Sequence, residues 1–76
     1  MNDKLSITQC KMARAGLNLG IRDVAELADV SPNTVTRFER GEKLQERTIK
    51  AIKDALEKKG AEFLDENGVN IRIIHG

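Results

Sequence analysis

Tryptophan and tyrosine are absent from this chain, and its two phenylalanines leave the core to be built from aliphatic side chains. One cysteine, Cys10, can form neither an internal disulfide nor a zinc site, so redox and structural-metal roles lack support. At its position Cys10 reads as a small buried hydrophobe. The one histidine, His75, stands beside the terminus with no companion cysteine or serine, which leaves a nucleophilic triad unsupported. Gly16 and Gly20 do not follow a strand pattern, so no phosphate-binding loop is present. Carboxylates are scattered over solvated faces rather than gathered near glycine-rich turns. The expectation is a protein that is not an enzyme and carries no cofactor. No run approaches the roughly 18 apolar residues of a membrane span, and MNDKLSITQC lacks a signal-peptide apolar region. No membrane association and a cytoplasmic location are expected.

A strong charge of either sign is also missing. The net charge is +1, weak evidence for a nucleic-acid partner. Its distribution is more informative: residues 1–60 hold 12 Lys and Arg against 9 Asp and Glu, and residues 61–76 hold Arg72 against three acids. A basic helical part is thus followed by a mildly acidic tail, and specificity must come from well-placed contacts rather than bulk attraction. With 76 residues the chain forms one domain with a small core.

What is present centres on Ile21 to Gly41, IRDVAELADVSPNTVTRFERG. Val24, Ala25, Leu27 and Ala28 supply an apolar face at helical spacing, and Asp29, Val30 and Ser31 interrupt it. Ser31 followed by Pro32 restarts a helix, since serine caps free N–H groups and proline at the first helical position loses no hydrogen bond. Val35 and Phe38 form the inward ridge of that second helix. Asn33, Thr34, Thr36 and Arg37 lie on its other face. Two short helices joined by a tight turn, the second with a polar outer face, make a helix-turn-helix.

The flanks fit a small helical domain. Ser6 and Gln9 form a capping box with Leu5 and Cys10 as its hydrophobic staple, opening a helix whose inner face is Cys10, Ala13 and Leu17. Asn18 ends it in a left-handed turn, and Gly41 ends the helix after Pro32 in the same way. Leu19 and Leu44 turn inward. A longer helix begins between Gln45 and Thr48 and runs to Lys59, with Ile49, Ile52, Ala55 and Leu56 buried. Its lysines, Lys50, Lys53, Lys58 and Lys59, belong to a solvated face interleaved with Asp54 and Glu57. Residues 61–76 then read as strand, Asn67-Gly68 turn and strand, with Val69 and Ile71 alternating with Asn70 and Arg72.

These residues resemble the phage-repressor and Cro-like (XRE-type) family of DNA-binding proteins over Ile7 to about Gly60. The matching positions are Ala25 at the helix crossing, Val30 after the turn, Val35 and Phe38 in the core, and Glu39-Arg40-Gly41. The family usually has glycine where Asp29 stands, and Ser-Gln where Gly20-Ile21 stands, which removes one glutamine–phosphate contact. The resemblance implies a mainly α fold of four to five helices over residues 1–60, a repressor-like helix-turn-helix domain. A short C-terminal β-hairpin or β-arm, residues 61–76, completes the same domain and is expected to mediate dimerisation through Val69, Ile71 and Ile73. Asn33, Thr36 and Arg37 would read bases; Arg14, Arg22, Ser31, Thr34, Arg40 and Lys43 would contact phosphates. Arg14 is further implied to pair with Glu39.

The function expected is a sequence-specific transcriptional regulator, a repressor or autoregulatory switch of a phage or mobile element, binding duplex DNA as a homodimer. No small-molecule ligand is evident. The competing class is a protein-binding module on the same scaffold, such as an anti-activator or antitoxin partner. The two differ in the outer face of the second helix, which a protein-binding variant should make apolar. Asparagine suits adenine and arginine suits guanine, so the residues present favour DNA.

Overall fold

The capping box at Ser6 forms, and it opens the first helix of the computed structural model, which describes residues 4–64 and 67–72. Ser6 Oγ accepts the Gln9 N–H at 3.0 Å, and Gln9 Oε1 accepts the Ser6 N–H at 3.0 Å. Helix α1 runs Ile7–Gly16, α2 Ile21–Ala28, α3 Pro32–Glu39 and α4 Glu46–Lys58. Ser31 Oγ caps α3 by accepting the Thr34 N–H at 3.2 Å, with Pro32 in its first turn. At α2 the N-cap is Gly20, and the Asp23 carboxylate reaches back to its N–H at 2.8 Å.

The first three helices end in one motif. Leu19 N–H donates to Arg14 C=O, Val30 to Ala25 and Glu42 to Arg37, at 2.8, 2.9 and 3.0 Å. A second bond that spans fewer residues accompanies each: Asn18 to Ala15, Asp29 to Glu26 and Gly41 to Phe38. This double closure requires a left-handed residue just past the helix. Asn18 and Asp29 fill that place at φ 59°, and Gly41 at φ 95°. Asp29 therefore substitutes for glycine in the turn, since its short polar side chain tolerates that conformation better than most.

Val24 of α2, Val35 of α3, Ile52 and Leu56 of α4 and Cys10 of α1 are the largest fully buried side chains. Leu5, Ala13, Ala25, Phe38 and Ala61 complete the same cluster, and Leu17, Leu19, Val30, Leu44 and Ile49 pack against it. One expected core residue is not there. Leu27 is 40% exposed. At 3.6 residues per turn the inward arc of α2 passes through Ile21, Val24, Ala25 and Ala28, and Leu27 falls at its margin.

The tail is a hairpin, β1 (Ala61–Phe63) antiparallel to β2 (Val69–Ile71), with Ala61 opposite Ile71, Glu62 opposite Asn70 and Phe63 opposite Val69. Leu64 N–H donates to Gly68 C=O at 2.9 Å and Arg72 N–H to Gly60 C=O at 2.8 Å, extending the ladder at both ends. This tail, expected from the sequence to serve as a dimerisation arm, does not project from its own subunit. It folds back: Phe63, Val69 and Ile71 pack against the core, β1 lies on α4 and β2 on α1. Ile73 and His75 lie outside the described residues.

Two glycines allow that approach. A Cβ on Gly60, at φ 115°, would stand 2.5 Å from the Arg72 carbonyl oxygen, and one on Gly16 would stand 2.8 Å from Ile71 Cγ1. Buried Gln9 supplies the polar lock, its Nε2 donating to Leu64 C=O at 2.8 Å and Gly68 C=O at 3.0 Å. The Ser6 hydroxyl adds a 2.8 Å bond to Asn67 Oδ1.

Candidate nucleic-acid interface

Helix α3 is held from beneath by Val35 and Phe38, which are 0% and 5% exposed. Because these two point inward, Asn33 and Arg37, four apart, point outward and are exposed, while Thr34 and Thr36 are half-buried at the flanks. Asn33 and Thr36 have no side-chain hydrogen bond among the described residues, so their donors and acceptors are available to a ligand. At the start of α3, the Ser31 and Thr34 hydroxyls lie 2.9 Å apart. Past its end stand Arg40 and Lys43, and Arg22 occupies the first turn of α2; all three are exposed and unpaired among the described residues.

Arg37 is engaged differently. Its Nε donates to Glu42 Oε1 at 3.0 Å, an ion pair with both side chains nearly half exposed. No local sequence pattern signals this contact, which follows from the left-handed cap at Gly41. That cap turns the chain back so that Glu42 comes to lie against Arg37.

The pair implied for Arg14 and Glu39 is present in two-pronged form. Arg14 Nε donates to Glu39 Oε2 at 2.8 Å and Nη2 to Oε1 at 2.9 Å, while Nη1 donates to Leu19 C=O at 3.3 Å. The hydrogen bond to Glu39 holds the guanidinium above its ordinary pKa. With Glu39 only 8% exposed, the pair ties α1 to the last turn of α3. Three of the five guanidinium N–H groups thus face protein, leaving two for any phosphate. The Cys10 thiol also donates to Glu39 Oε2, at 3.3 Å. Burial, then the neighbouring Glu39 charge, push this thiol up to about 12.

The fold therefore brings Asn33, Thr36 and Arg37 onto one helix, with Ser31, Thr34, Arg40 and Lys43 at its two ends and Arg22 on the preceding helix. Arg14 stands apart on α1, turned toward Glu39. Ala25, Val35 and Phe38 are buried where a helix-turn-helix needs them, and Val30 packs against the core. The large exposed apolar side chains among the described residues are Met12, Leu27 and Leu64, none of them on α3. Such an outer face suits a polar, charged partner.

The sequence model of the Helix-turn-helix family HTH_3 matches residues 11–63. The chain belongs to this XRE-type family. The match spans most of α1, all of α2, α3 and α4, and β1, so this helix-turn-helix protein is a DNA-binding transcription regulator. Strand β2 lies beyond the matched span. No curated protein shows significant similarity to the chain. Among the described residues no helix is long and apolar enough to cross a membrane.

Proposed function

We propose that this helix-turn-helix protein is a sequence-specific repressor or autoregulatory switch, of the kind carried by phages and mobile elements, acting in the cytoplasm as a homodimer on a palindromic operator. The observation that carries the reading is the outer face of α3, where exposed Asn33 and Arg37 stand over a buried Val35–Phe38 ridge and no large apolar side chain is exposed. Helix α3 enters the major groove. Asn33, Thr36 and Arg37 meet base edges, with arginine suited to the two acceptors of guanine and asparagine to adenine. Arg22, Ser31, Thr34, Arg40 and Lys43, with the remaining N–H groups of Arg14, meet phosphates and set the register.

One such helix covers a few base pairs, and pairing across a palindrome extends the reading. Strand β2 supports that pairing through its backbone. In the observed register Glu62 and Asn70 face each other as the bonded pair, so the N–H and C=O groups of Val69 and Ile71 point away from β1. An open edge of this kind is a template for a second strand. Two copies joined there form a four-stranded sheet. The Ile71 side chain serves its own subunit against Gly16, so the contact between subunits is chiefly main-chain.

Two experiments test these statements. Fragmented DNA from the native locus, titrated with the full chain at several salt concentrations, should yield one fragment bound far more tightly than the rest. Uniform binding to every fragment would contradict sequence-specific action. For the dimer, Val69→Pro removes an outward N–H while sparing the ladder, as proline is tolerated on an edge strand. Sedimentation should show weaker self-association at unchanged helical content; a variant that dimerises as tightly as the parent rules out the β2 edge.

A further inference from the structure

Arg37 and Glu42 are joined twice. The Glu42 N–H donates to the Arg37 carbonyl at 3.0 Å, and the Arg37 Nε–H donates to the Glu42 carboxylate at 3.0 Å. The first bond belongs to the closure of α3 around Gly41, whose φ of 95° returns the chain toward the helix. A Cβ at Gly41 would meet nothing nearer than Ile7 Cδ1 at 3.9 Å, so conformation rather than space calls for glycine there. The second bond uses one N–H of the guanidinium. Nη1 and Nη2 make no hydrogen bond among the described residues.

We infer that Glu42 is a positioning residue that holds the Arg37 side chain extended, with its two terminal nitrogens presented to a guanine edge. This rests on the reading of α3 as the base-contacting helix. Exposed ion pairs of this kind add little to fold stability. Their effect here is on a long side chain that would otherwise sample many rotamers, and on which guanine needs two donors at once. Because the carboxylate binds at Nε, the guanine acceptors and Glu42 occupy different parts of the same planar fork and do not compete. Glu42 also cancels the Arg37 charge locally, which lowers attraction to arbitrary DNA and leaves discrimination to geometry.

The test uses the full chain, a duplex selected by the parent protein from a randomised library, every single-base variant of that duplex, and poly(dI-dC) as non-specific DNA. Glu42→Ala should reduce discrimination at one guanine per half-site by about 2- to 10-fold, the range expected for ordering one flexible side chain. Its binding to poly(dI-dC) should rise. Glu42→Gln, whose amide oxygen still accepts from Nε, should retain most of the discrimination while showing the same rise, since it removes the same charge. Melting midpoints of both variants should match the parent's. If the two variants lose discrimination equally, or neither loses any, Glu42 acts through charge alone and the positioning role is wrong. Arg37→Ala, run alongside, separates the cases: if it leaves the ranking of duplexes unchanged, the base-reading assignment itself fails, whatever Glu42 does.

Discussion

Replacing Gln9 by alanine should unfasten the hairpin from the helices. The Gln9 side chain makes three hydrogen bonds from a site only 2% exposed: it accepts from Ser6 N–H and donates to the carbonyls of Leu64 and Gly68. Gly68 C=O would keep its bond from Leu64 N–H, so the substitution strands two groups, Ser6 N–H and Leu64 C=O. A buried polar group left unmatched costs about 1–3 kcal/mol. Ser6 is half-buried and Leu64 exposed, so water reaches both and the low end applies. The sum is about 2 kcal/mol, which for a domain of this size lowers the melting temperature by roughly 8–16 °C. Circular dichroism melting measures the loss, and hydrogen exchange at the Leu64 amide locates it in the hairpin. Gln9→Glu keeps the acceptor for Ser6 but aims a carboxylate at two carbonyls. It should be as damaging near neutral pH and should recover as pH falls toward about 4, because burial and the facing carbonyls make the acid take up its proton, and so become a donor, above its ordinary pKa. A Gln9→Ala chain that melts with the parent would mean that the hairpin is held by its apolar face alone.

Other outcomes follow from the core. Ala25→Leu forces a larger side chain in where Ala25 is 1% exposed, and should cost about 1–3 kcal/mol, read as a clear fall in melting temperature; no change would place the crossing of α2 and α3 elsewhere. The Cys10 thiol, ordinarily ionising near 9.0, does so only at about 12 in the folded chain. Its contribution to stability is therefore complete below about pH 9 and is lost as pH rises from there toward about 12, because the unfolded chain then holds fewer protons. Urea midpoints should fall more across that range for the parent than for Cys10→Ala, and a thiol reagent should label Cys10 only as fast as the chain opens.

Local rules carried most of the fold from the sequence. Capping chemistry at Ser6 and Ser31, and residues tolerant of left-handed φ at Asn18, Asp29 and Gly41, mark helix ends within a few bonds of chain, so they are visible without tertiary knowledge. The outward set on α3 was legible for the same reason, since Val35 and Phe38 fix which side faces in. Contacts between distant segments were not legible. Gln9 looked like half of a capping box, and nothing local reveals that its amide reaches Leu64 and Gly68, more than fifty residues on. Nothing local to Gly16 shows that its lack of a side chain admits Ile71. Leu27 fitted an apolar helix face by spacing, but it stands at the margin of the arc that α2 turns to the core, and only the packing of the neighbouring helices decides where that arc ends. The partnership of Glu42 with Arg37 depends on how Gly41 turns the chain, and no local pattern at Glu42 reveals it. The Arg14–Glu39 pair, suggested by family resemblance, has no local signature at all.

The central claim is that α3 reads bases while its neighbours hold phosphates, and a paired comparison of Arg37→Ala with Arg40→Ala tests it most directly. Both arginines are exposed, and they lie three residues apart at the end of the same helix. Binding of each variant is measured against the selected duplex and its single-base variants over a range of salt. Arg37→Ala should cost about 1–3 kcal/mol on the selected duplex and flatten the preference at one base pair per half-site. Arg40→Ala should weaken every duplex alike and reduce the salt slope by about one unit. The account is contradicted if Arg37→Ala weakens all duplexes equally and leaves their ranking as it was.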